Sequence, residues 1–268
     1  MSSINTNINS LTAQRNLSST SNALATSMAR LSSGLRVNSA KDDAAGLAIA
    51  ERMNAQTRGM NVAIRNTNDG ISLAATAEGA LGAISNNLQR MRELAVQASN
   101  GTNTSTDISS MDAEYKLLAA ENTRVSAATT FNGKSVIAAA TFDFQVGANN
   151  TTANDVISVT ATSFSGTATT LGSATSTAFA EISKLDADIN TITSARATWG
   201  ATQNRFDSVI TNLRVAAENS DAARGRIMDA DYAKETASLS RAQVLQQAGT
   251  AMVAQANQQP QGVLALLR

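Results

Sequence analysis

Apolar side chains recur every three or four residues along most of this chain, a spacing that places them on one face of an α-helix. The first stripe contains Ile4, Ile8, Leu11, Leu17, Leu24, Met28, Leu31 and Leu35. The second contains Met53, Met60, Ile64, Ile71, Leu81, Ile84, Leu88 and Met91. The third contains Ile108, Met111, Tyr115, Leu118 and Val125, and the fourth contains Ile182, Leu185, Ile189, Ile192, Trp199, Phe206, Ile210 and Leu213. The pattern predicts a mainly α fold, a bundle or coiled coil of long helices.

The stretch from residue 131 to residue 179 has a different pattern. Phe142, Phe144 and Val146 alternate with polar residues, and a second apolar segment, 156–159, follows a turn rich in Gly and Asn. Two short segments around such a turn predict a β-hairpin. Residues 160–178 are rich in Thr, Ser, Ala and Gly, which favours a mobile loop over the alternative of a glycan-bearing surface.

Capping residues indicate where the helices begin and end. Asp42 and Asp43 favour a helix start near Ala44, because acidic side chains stabilise the positive N-terminal end of a helix. Asn100-Gly101 predicts the end of that long helix, and Asp107 is the predicted N-cap of the next. Glycines within the long helix either break it or permit close packing against a neighbour. They are Gly46, Gly59, Gly70, Gly79 and Gly82.

Charge is balanced in total but unevenly placed. The chain has 21 basic and 21 acidic residues, yet residues 1–40 and 236–268 contain no acidic residue. The stretches that contain charges of both signs lie between these weakly charged ends and the polar middle of the chain. The order of charged and weakly charged segments along the chain is therefore nearly a palindrome. This symmetry predicts that the N-terminal and C-terminal segments pack against each other. The predicted domains are residues 1–41 with 232–268 as a terminal coiled coil, 42–130 with 180–231 as a charged helical rod, and 131–179 as a β-hairpin and polar loop at the rod tip without a separate outer domain.

We expect the terminal coiled-coil segments to be disordered in the monomer. Each segment offers one apolar stripe, and burial of a single stripe does not compensate for the entropy lost in ordering about 40 residues. The segments would therefore fold only against partners. Their low charge fits this expectation, because burying an unpaired ion is costly.

The composition argues against catalysis, nucleic-acid binding and membrane insertion. The chain has no Cys and no His, which removes thiol nucleophiles, the usual general base and the usual zinc ligands. Zero net charge argues against a phosphate-backbone binder, and no stretch approaches the ~20 apolar residues of a membrane span. The pairs Asp42-Asp43 and Asp229–Asp231 suggest a metal site, but helix capping is the favoured interpretation. We predict no catalytic, cofactor-binding or metal-binding residue, and no enzyme.

Several strings in the chain are distinctive. Residues 30–50 read RLSSGLRVNSAKDDAAGLAIA, residues 86–97 read NNLQRMRELAVQ, and residues 142–149 read FDFQVGAN. Together with residues 66–72, 78–81, 131–133 and 226–268, they resemble strings of bacterial flagellins. The resemblance covers roughly residues 1–150 and 180–268, with only about thirty polar residues between, so it implies a short form without large outer domains.

The resemblance implies an extracellular subunit that is exported unfolded through the flagellar type III apparatus and self-assembles into the helical filament used for motility. Implied partners are copies of the chain, a flagellin export chaperone at the C-terminal region, the filament cap and the hook-junction proteins. The apolar stripes of the two ends would pack in the assembly. The residues predicted for polymerisation and core packing are Ile4, Ile8, Leu11, Leu24, Met28, Leu31, Leu35, Leu264, Leu266 and Leu267.

A second set of residues resembles the segment by which the host toll-like receptor senses many flagellins. The positions that match are Gln89, Arg90, Glu93, Leu94 and Glu114. Arg90 and Leu94 are one helical turn apart, which predicts a shared face. The alternative is that these residues serve contacts between protofilaments. The terminal leucines likewise resemble those read by cytosolic flagellin sensors, with packing as their first role.

Two alternative functions remain at this point. A hook–filament junction protein would use similar end helices but usually diverges in the central strings. A signalling coiled coil of the chemoreceptor type would need a membrane span or an attached sensor domain, and the sequence shows neither.

Overall fold

The computed structural model describes residues 6–265, apart from the side chains of residue 152 and of residues 259–265. The described residues form the helices α1 Ile8–Ser33, α2 Ala44–Ala98, α3 Ser105–Ala128, α4 Thr152–Asp155, α5 Thr175–Met228 and α6 Tyr232–Ala265. The strands are β1 Thr130–Phe131, β2 Lys134–Ser135, β3 Thr141–Gln145 and β4 Val156–Thr160. The predicted mainly α fold is confirmed.

The chain divides into two compact units. Of the described residues, those up to Ala55 and those from Asn219 onward form one, here called the terminal unit, and Gln56–Glu218 form the central unit. This division lies inside α2 and α5. The boundaries predicted at 41/42 and 231/232 lie instead near the starts of α2 and α6, and the three-domain organisation stays a prediction.

The core of the central unit is built from the second, third and fourth apolar stripes. Leu81, Ile84, Tyr115, Leu185 and Phe206 are fully buried within one cluster. Polar Asn122 interrupts the third stripe and is also buried, where its Oδ1 accepts a hydrogen bond of 2.9 Å from Asn87 Nδ2. The cluster has aliphatic side chains for most of its volume, as a chain with 3% aromatic residues requires.

Helix α2 is unbroken over 55 residues. Two of its glycines allow close packing against other elements. A Cβ at Gly59 would lie 2.8 Å from Ala148 Cβ in the β3–β4 turn, and one at Gly70 would lie 2.8 Å from Phe206 Cε2 on α5. Gly79 and Gly82 have open space where a Cβ would be. Close packing therefore accounts for two of the five glycines.

The N-terminus of α3 corrects one prediction. Its N-cap is Thr104 and not Asp107. Asp107 is at the third helical position, where its carboxylate accepts a hydrogen bond of 2.9 Å from the Thr104 N–H, while the Thr104 hydroxyl accepts from the Asp107 N–H. This reciprocal capping box satisfies two amide donors, whereas an N-cap at Asp107 would satisfy one.

The predicted β-hairpin is present as the antiparallel pair β3–β4. Phe142 is opposite Val159 and Phe144 is opposite Ile157, so the apolar members of both strands share one face. Phe144 contacts Phe206 edge-to-face, with ring centroids 5.2 Å apart. The hairpin is thereby fixed to α5 within the central unit.

Candidate assembly and recognition surfaces

Helices α1 and α6 form an antiparallel pair within the terminal unit. Near one end, Asn7 Nδ2 donates to Ala256 O at 2.7 Å and Ser10 Oγ donates to Asn257 Oδ1 at 2.7 Å. At the other end, Arg30 Nη1 lies 3.2 Å from Glu235 Oε1. The ion pair and the hydrogen bonds fix the register of the two helices.

The fully buried positions of the seam between α1 and α6 are small or polar, while Leu17, Leu24 and Leu31 are half-buried there. Ser10, Ser27 and Ala242 are buried there. Leu17 packs over Gly249, where an added Cβ would lie 3.1 Å from Leu17 Cδ1. A seam of this composition buries little apolar surface, so the pair gains little stability from its own packing.

The first apolar stripe does not point into this seam as a whole. Leu24, Leu31 and Leu35 are half-buried, but Ile8 is 66% exposed and Met28 57% exposed, and Leu11 is also exposed. The seam follows the heptad that contains Ser10, Leu17, Leu24 and Leu31, which places Ile8, Leu11 and Met28 off its centre. Ile4, Leu266 and Leu267 lie outside the described residues, as does the side chain of Leu264.

An apolar groove runs along one side of the α1–α6 pair, with a volume of about 460 Å³. Leu17, Leu245, Gly249 and Met252 contribute its apolar lining. Leu245 and Met252 are exposed, as is Val244 beside them. The terminal pair thus presents large apolar side chains to solvent while burying small ones.

The segment that joins α1 to α2 is tied to the end of α5. Gly34 has φ of 71°, a conformation that glycine adopts without strain, and Arg36 N–H then donates to Met228 O at 2.6 Å. Arg36 Nη2 donates to Ile227 O at 2.7 Å, and Ala230 N–H donates to Gly34 O at 2.9 Å. These bonds hold the segment that leaves α1 against the segment that leads into α6.

The predicted capping role is confirmed for one aspartate of each acidic pair, Asp43 and Asp231. Asp43 Oδ1 accepts from the Gly46 N–H at 2.8 Å, and Asp231 Oδ1 accepts from the Ala233 N–H at 3.0 Å. Asp42 accepts from the hydroxyl and N–H of Ser39, and these hydrogen bonds lower its pKa. Within residues 6–265, no group of three or more His, Cys, Asp and Glu side chains is placed to hold a metal ion.

Four of the five residues that match the receptor-sensed segment of flagellins form an exposed charged patch where α2 and α3 adjoin. Arg90 Nε donates to Glu114 Oε1 at 2.9 Å, and Arg90 Nη1 donates to Glu93 Oε2 at 3.0 Å. The bond to Glu114, followed by that to Glu93, raises the pKa of the Arg90 guanidinium. Gln89 is exposed beside it. We call Gln89, Arg90, Glu93 and Glu114 the Arg90 patch.

Leu94 is not part of the exposed patch. It is 2% exposed and belongs to the core cluster of the central unit. Arg90 and Leu94 are one turn apart as stated, but only Arg90 lies at the surface. Residues four apart are separated by about 40° around a helix, and the edge of the buried face of α2 falls between these two.

Two buried carboxylates have a role that sequence analysis missed. The loop predicted over residues 160–178 is shorter in the structure, because β4 includes residue 160 and α5 begins at Thr175. The part without helix or strand, residues 161–174, is here called the anchored loop, because Asp112 and Asp188 hold it in place where a mobile loop was expected. Asp188 accepts from the N–H groups of Thr167 and Ala168, at 2.9 and 3.3 Å, and Asp112 accepts from the Leu171 N–H at 2.8 Å. Nothing in their sequence context distinguishes these aspartates from the exposed charges of the same helices.

Two family sequence profiles match most of the chain. The sequence profile of the bacterial flagellin N-terminal helical region matches residues 4–141, and that of the bacterial flagellin C-terminal helical region matches residues 182–267. The chain belongs to the bacterial flagellin family. These matches confirm the resemblance to flagellins found in the sequence. Flagellins are the structural subunits of the flagellar filament.

Individual flagellins are similar to this chain over nearly its whole length. A flagellin of Halalkalibacterium halodurans is 44% identical over 271 residues, covering 99% of both chains. Flagellin C of Vibrio cholerae is 34% identical over 372 aligned residues, covering 98% of this chain and 99% of that one. Since this chain has 268 residues, the Vibrio flagellin contains segments that it lacks, which agrees with a short form.

A solved flagellin structure agrees with the fold. The crystal structure of Bacillus cereus flagellin is 39% identical, with a TM-score of 0.51, and the match covers 56% of this chain and 88% of that one. In the described part of the present flagellin, no helix is both long enough and apolar enough to cross a membrane.

Proposed function

We propose that this flagellin polymerises through the exposed apolar side chains of α1 and α6, so that the terminal pairs of many copies pack into the inside of the filament. The observation that carries the proposal is the inverted burial of the terminal unit. Its seam buries Ser10, Ser27 and Ala242, while Ile8 and Leu245 remain in water. An apolar surface of this kind is stabilised when a neighbouring copy covers it.

The same contacts would repeat from subunit to subunit. A face of one copy that packs on a different face of the next makes an open contact, and open contacts repeated by a fixed rotation and rise build a helical filament. The groove beside Leu17 and Leu245 fits this arrangement, because it accepts a side chain that its own chain does not supply. Small changes in such packing would let the filament change its supercoil.

Elongation of filament seeds tests this proposal directly. Leu245 is 51% exposed and lines the groove, so Leu245→Asp would place a charge in the contact between copies. We expect purified monomer of this variant to stop elongating sheared filament seeds, as measured by electron microscopy and sedimentation. Ser194→Asp, which adds the same charge at an exposed site on α5, serves as the matched control and should elongate. Normal elongation by Leu245→Asp would refute the proposed contact.

The proposed role as a filament subunit extends to export from the cell and to addition at the filament tip. We propose that the chain leaves the cell unfolded through the flagellar export apparatus, with an export chaperone on its C-terminal region, and that it adds beneath the filament cap above the hook-junction proteins. The alternative is that the chain is itself a hook–filament junction protein. Complementation of a strain without filaments separates the two, because a filament subunit restores long filaments and a junction protein does not.

The Arg90 patch supports a second proposed role, recognition by the host toll-like receptor for flagellin. The geometry that favours it is the exposed guanidinium of Arg90, which ion pairs with Glu93 on α2 and Glu114 on α3 hold at the surface. In this proposal Leu94 contributes from beneath, by packing the segment of α2 that carries the patch. Terminal Leu264, Leu266 and Leu267 are proposed contacts for cytosolic sensors and for polymerisation.

A reporter assay tests the receptor role. Arg90→Ala monomer should stimulate receptor-bearing cells less than the unmodified chain, because the cation at the centre of the patch is gone. Arg124→Ala is the matched control, since Arg124 is an exposed arginine in an ion pair with Glu121 on the same unit. Equal stimulation by Arg90→Ala and the unmodified chain would contradict the proposal without affecting the filament function.

A further inference from the structure

Two methionines of the terminal unit are exposed to solvent, in contrast to the others that the structure describes. Met28 on α1 is 57% exposed and Met252 on α6 is 62% exposed. Met60 and Met91 on α2 are buried. In a protein without cysteine the thioether of Met is the side chain that peroxide oxidises most readily, and exposure decides which methionines an oxidant reaches first.

The two exposed methionines lie on the surfaces proposed above for assembly. Met252 lines the apolar groove with Leu17, Leu245 and Gly249. Met28 lies on α1, away from the groove lining, and is among the side chains that the α1–α6 seam leaves in water. Both side chains would pass from water in the monomer to an apolar contact in the polymer.

We propose that Met28 and Met252 are modification sites for peroxides and that their oxidation stops filament growth. This inference rests on the proposed function. The thioether sulfur attacks one oxygen of hydrogen peroxide, so that an S–O bond forms and the O–O bond breaks. The departing hydroxide takes the proton from the sulfur-bound oxygen and becomes water. The sulfur is oxidised to a sulfoxide, and the peroxide is reduced.

Oxidation changes what these positions can contact. A sulfoxide is polar and accepts hydrogen bonds, and its burial without a donor is unfavourable. Within the groove lining, Leu17, Leu245 and Gly249 have no side-chain donor, whereas Asn9, Thr12, Asn16, Thr20 and Gln255 do. The penalty therefore falls on a sulfoxide that a neighbouring copy covers against the apolar members of the lining. An oxidised monomer would therefore dock poorly, whereas subunits already in the filament keep both sulfurs covered. Peroxide would block addition of new subunits and leave existing filaments intact.

The experiment treats purified monomer with hydrogen peroxide until peptide mass spectrometry shows conversion of Met28 and Met252, and then offers it to filament seeds. We expect the critical concentration for elongation to rise about tenfold or more, the change expected from a penalty of about 1.4 kcal/mol. Met60 and Met91 should remain unoxidised, and the fluorescence of Trp199 should stay unchanged. Reduction by the two methionine sulfoxide reductases should restore elongation.

Two variants locate the effect, each compared with its own untreated sample. Met28→Leu combined with Met252→Leu removes both thioethers and approximates their volume, so its elongation should be insensitive to peroxide. Met53→Leu combined with Met111→Leu changes two half-buried methionines and should remain sensitive. In assembled filaments exposed to the same dose, Met28 and Met252 should stay reduced.

The outcomes separate this inference from the proposed function. If untreated wild type elongates seeds and fully oxidised wild type elongates them equally well, the oxidation inference is wrong. It is also wrong if the reductases fail to restore elongation or if the Met28→Leu, Met252→Leu double variant is inhibited as strongly as wild type. If untreated wild type fails to elongate seeds, the filament function itself is refuted, and this inference with it.

Discussion

Asp188 on α5 accepts three hydrogen bonds from the anchored loop, from the Thr167 N–H, the Thr167 hydroxyl and the Ala168 N–H. Its carboxylate replaces the hydrogen bonds that a strand or helix would supply to this irregular backbone. Ala168 is buried, so water does not easily take over if the carboxylate is lost. The loop is therefore ordered by side chains of the helices beneath it.

Removing this carboxylate should lower the stability of the central unit. We expect Asp188→Ala to reduce the free energy of unfolding by roughly 2–4 kcal/mol, because it leaves buried N–H donors without an acceptor. Urea unfolding followed by Trp199 fluorescence measures the loss. Asp186→Ala is the control. Asp186 lies two residues before Asp188 on α5 and makes an exposed ion pair with Arg92, so its replacement should lower the free energy of unfolding by less. Equal losses would mean that Asp188 does not anchor the loop.

Asp112 should make this anchoring dependent on pH. Burial opposes its ionisation, but the hydrogen bonds from Lys116, Thr170 and the Leu171 N–H outweigh burial and lower its pKa below the ordinary 3.8. The stabilisation is then complete above that value and is lost as the pH falls below it. Between about pH 6 and pH 3, wild type should lose more unfolding free energy than Asp112→Asn. Parallel pH profiles for the two proteins would contradict this assignment.

Single residues also show where sequence analysis reaches its limit. Capping by Asp43 and Asp231 was predictable because a cap contacts amides only two or three residues away. The burial of Leu94 and the anchoring by Asp188 depend on partners far along the chain, such as Thr167, which lies 21 residues before Asp188. Local patterns contain no information on which distant backbone a carboxylate reaches.

At the scale of elements, α2 offers a matched pair of glycines. A Cβ at Gly70 would lie 2.8 Å from the Phe206 ring and 3.2 Å from Phe144 Cδ1, and Phe206 is fully buried and cannot move aside easily. Gly79 on the same helix is exposed and has nothing within 4 Å of a built Cβ. The two positions differ in packing while sharing the same helical backbone.

Replacing each of these glycines by alanine should change stability in opposite directions. Gly79→Ala should raise the unfolding free energy by up to ~1 kcal/mol, because alanine favours the helix. Gly70→Ala gains the same propensity but should lower the unfolding free energy by about 1–3 kcal/mol through overpacking against Phe206. Thermal and urea unfolding of the monomers measure both changes. A stabilising Gly70→Ala would show that Phe206 of α5 does not pack closely on α2 at this position.

The elements also differ in how well their faces could be predicted. The apolar stripes of α2, α3 and α5 point into the core as expected. Each of these helices has one apolar face, and the large core cluster buries that face. Helix α1 has two overlapping apolar registers, one through Leu17, Leu24 and Leu31 and one through Ile8 and Leu11. Its partner α6 selects the first, because Gly249 admits Leu17. The choice depends on both helices together, and the pattern of α1 alone does not contain it.

For the whole molecule, the division of apolar burial between the two units predicts unequal stability. The core cluster runs from Leu73 to Phe206 and lies entirely in the central unit. The terminal pair buries small residues and keeps Ile8, Met28 and Leu245 in water. Amide exchange reports such differences, because a segment with few buried apolar contacts opens at little cost in free energy.

Hydrogen exchange should therefore separate the units in the monomer and reunite them in the polymer. In monomer, amides of α1 and α6 should exchange almost as fast as an unfolded chain, while those of α2 between Leu81 and Leu94 remain protected. In filaments grown from the same protein, the amides of α1 and α6 should become protected, because neighbouring copies now cover their apolar sides. The unchanged core of the central unit serves as the internal control in both samples. Strong protection of residues 8–33 in the monomer would mean that the α1–α6 pair is stable without neighbours. The low burial of its seam would then have to be compensated within the chain, by the Arg30–Glu235 pair and the hydrogen bonds of Asn7 and Ser10.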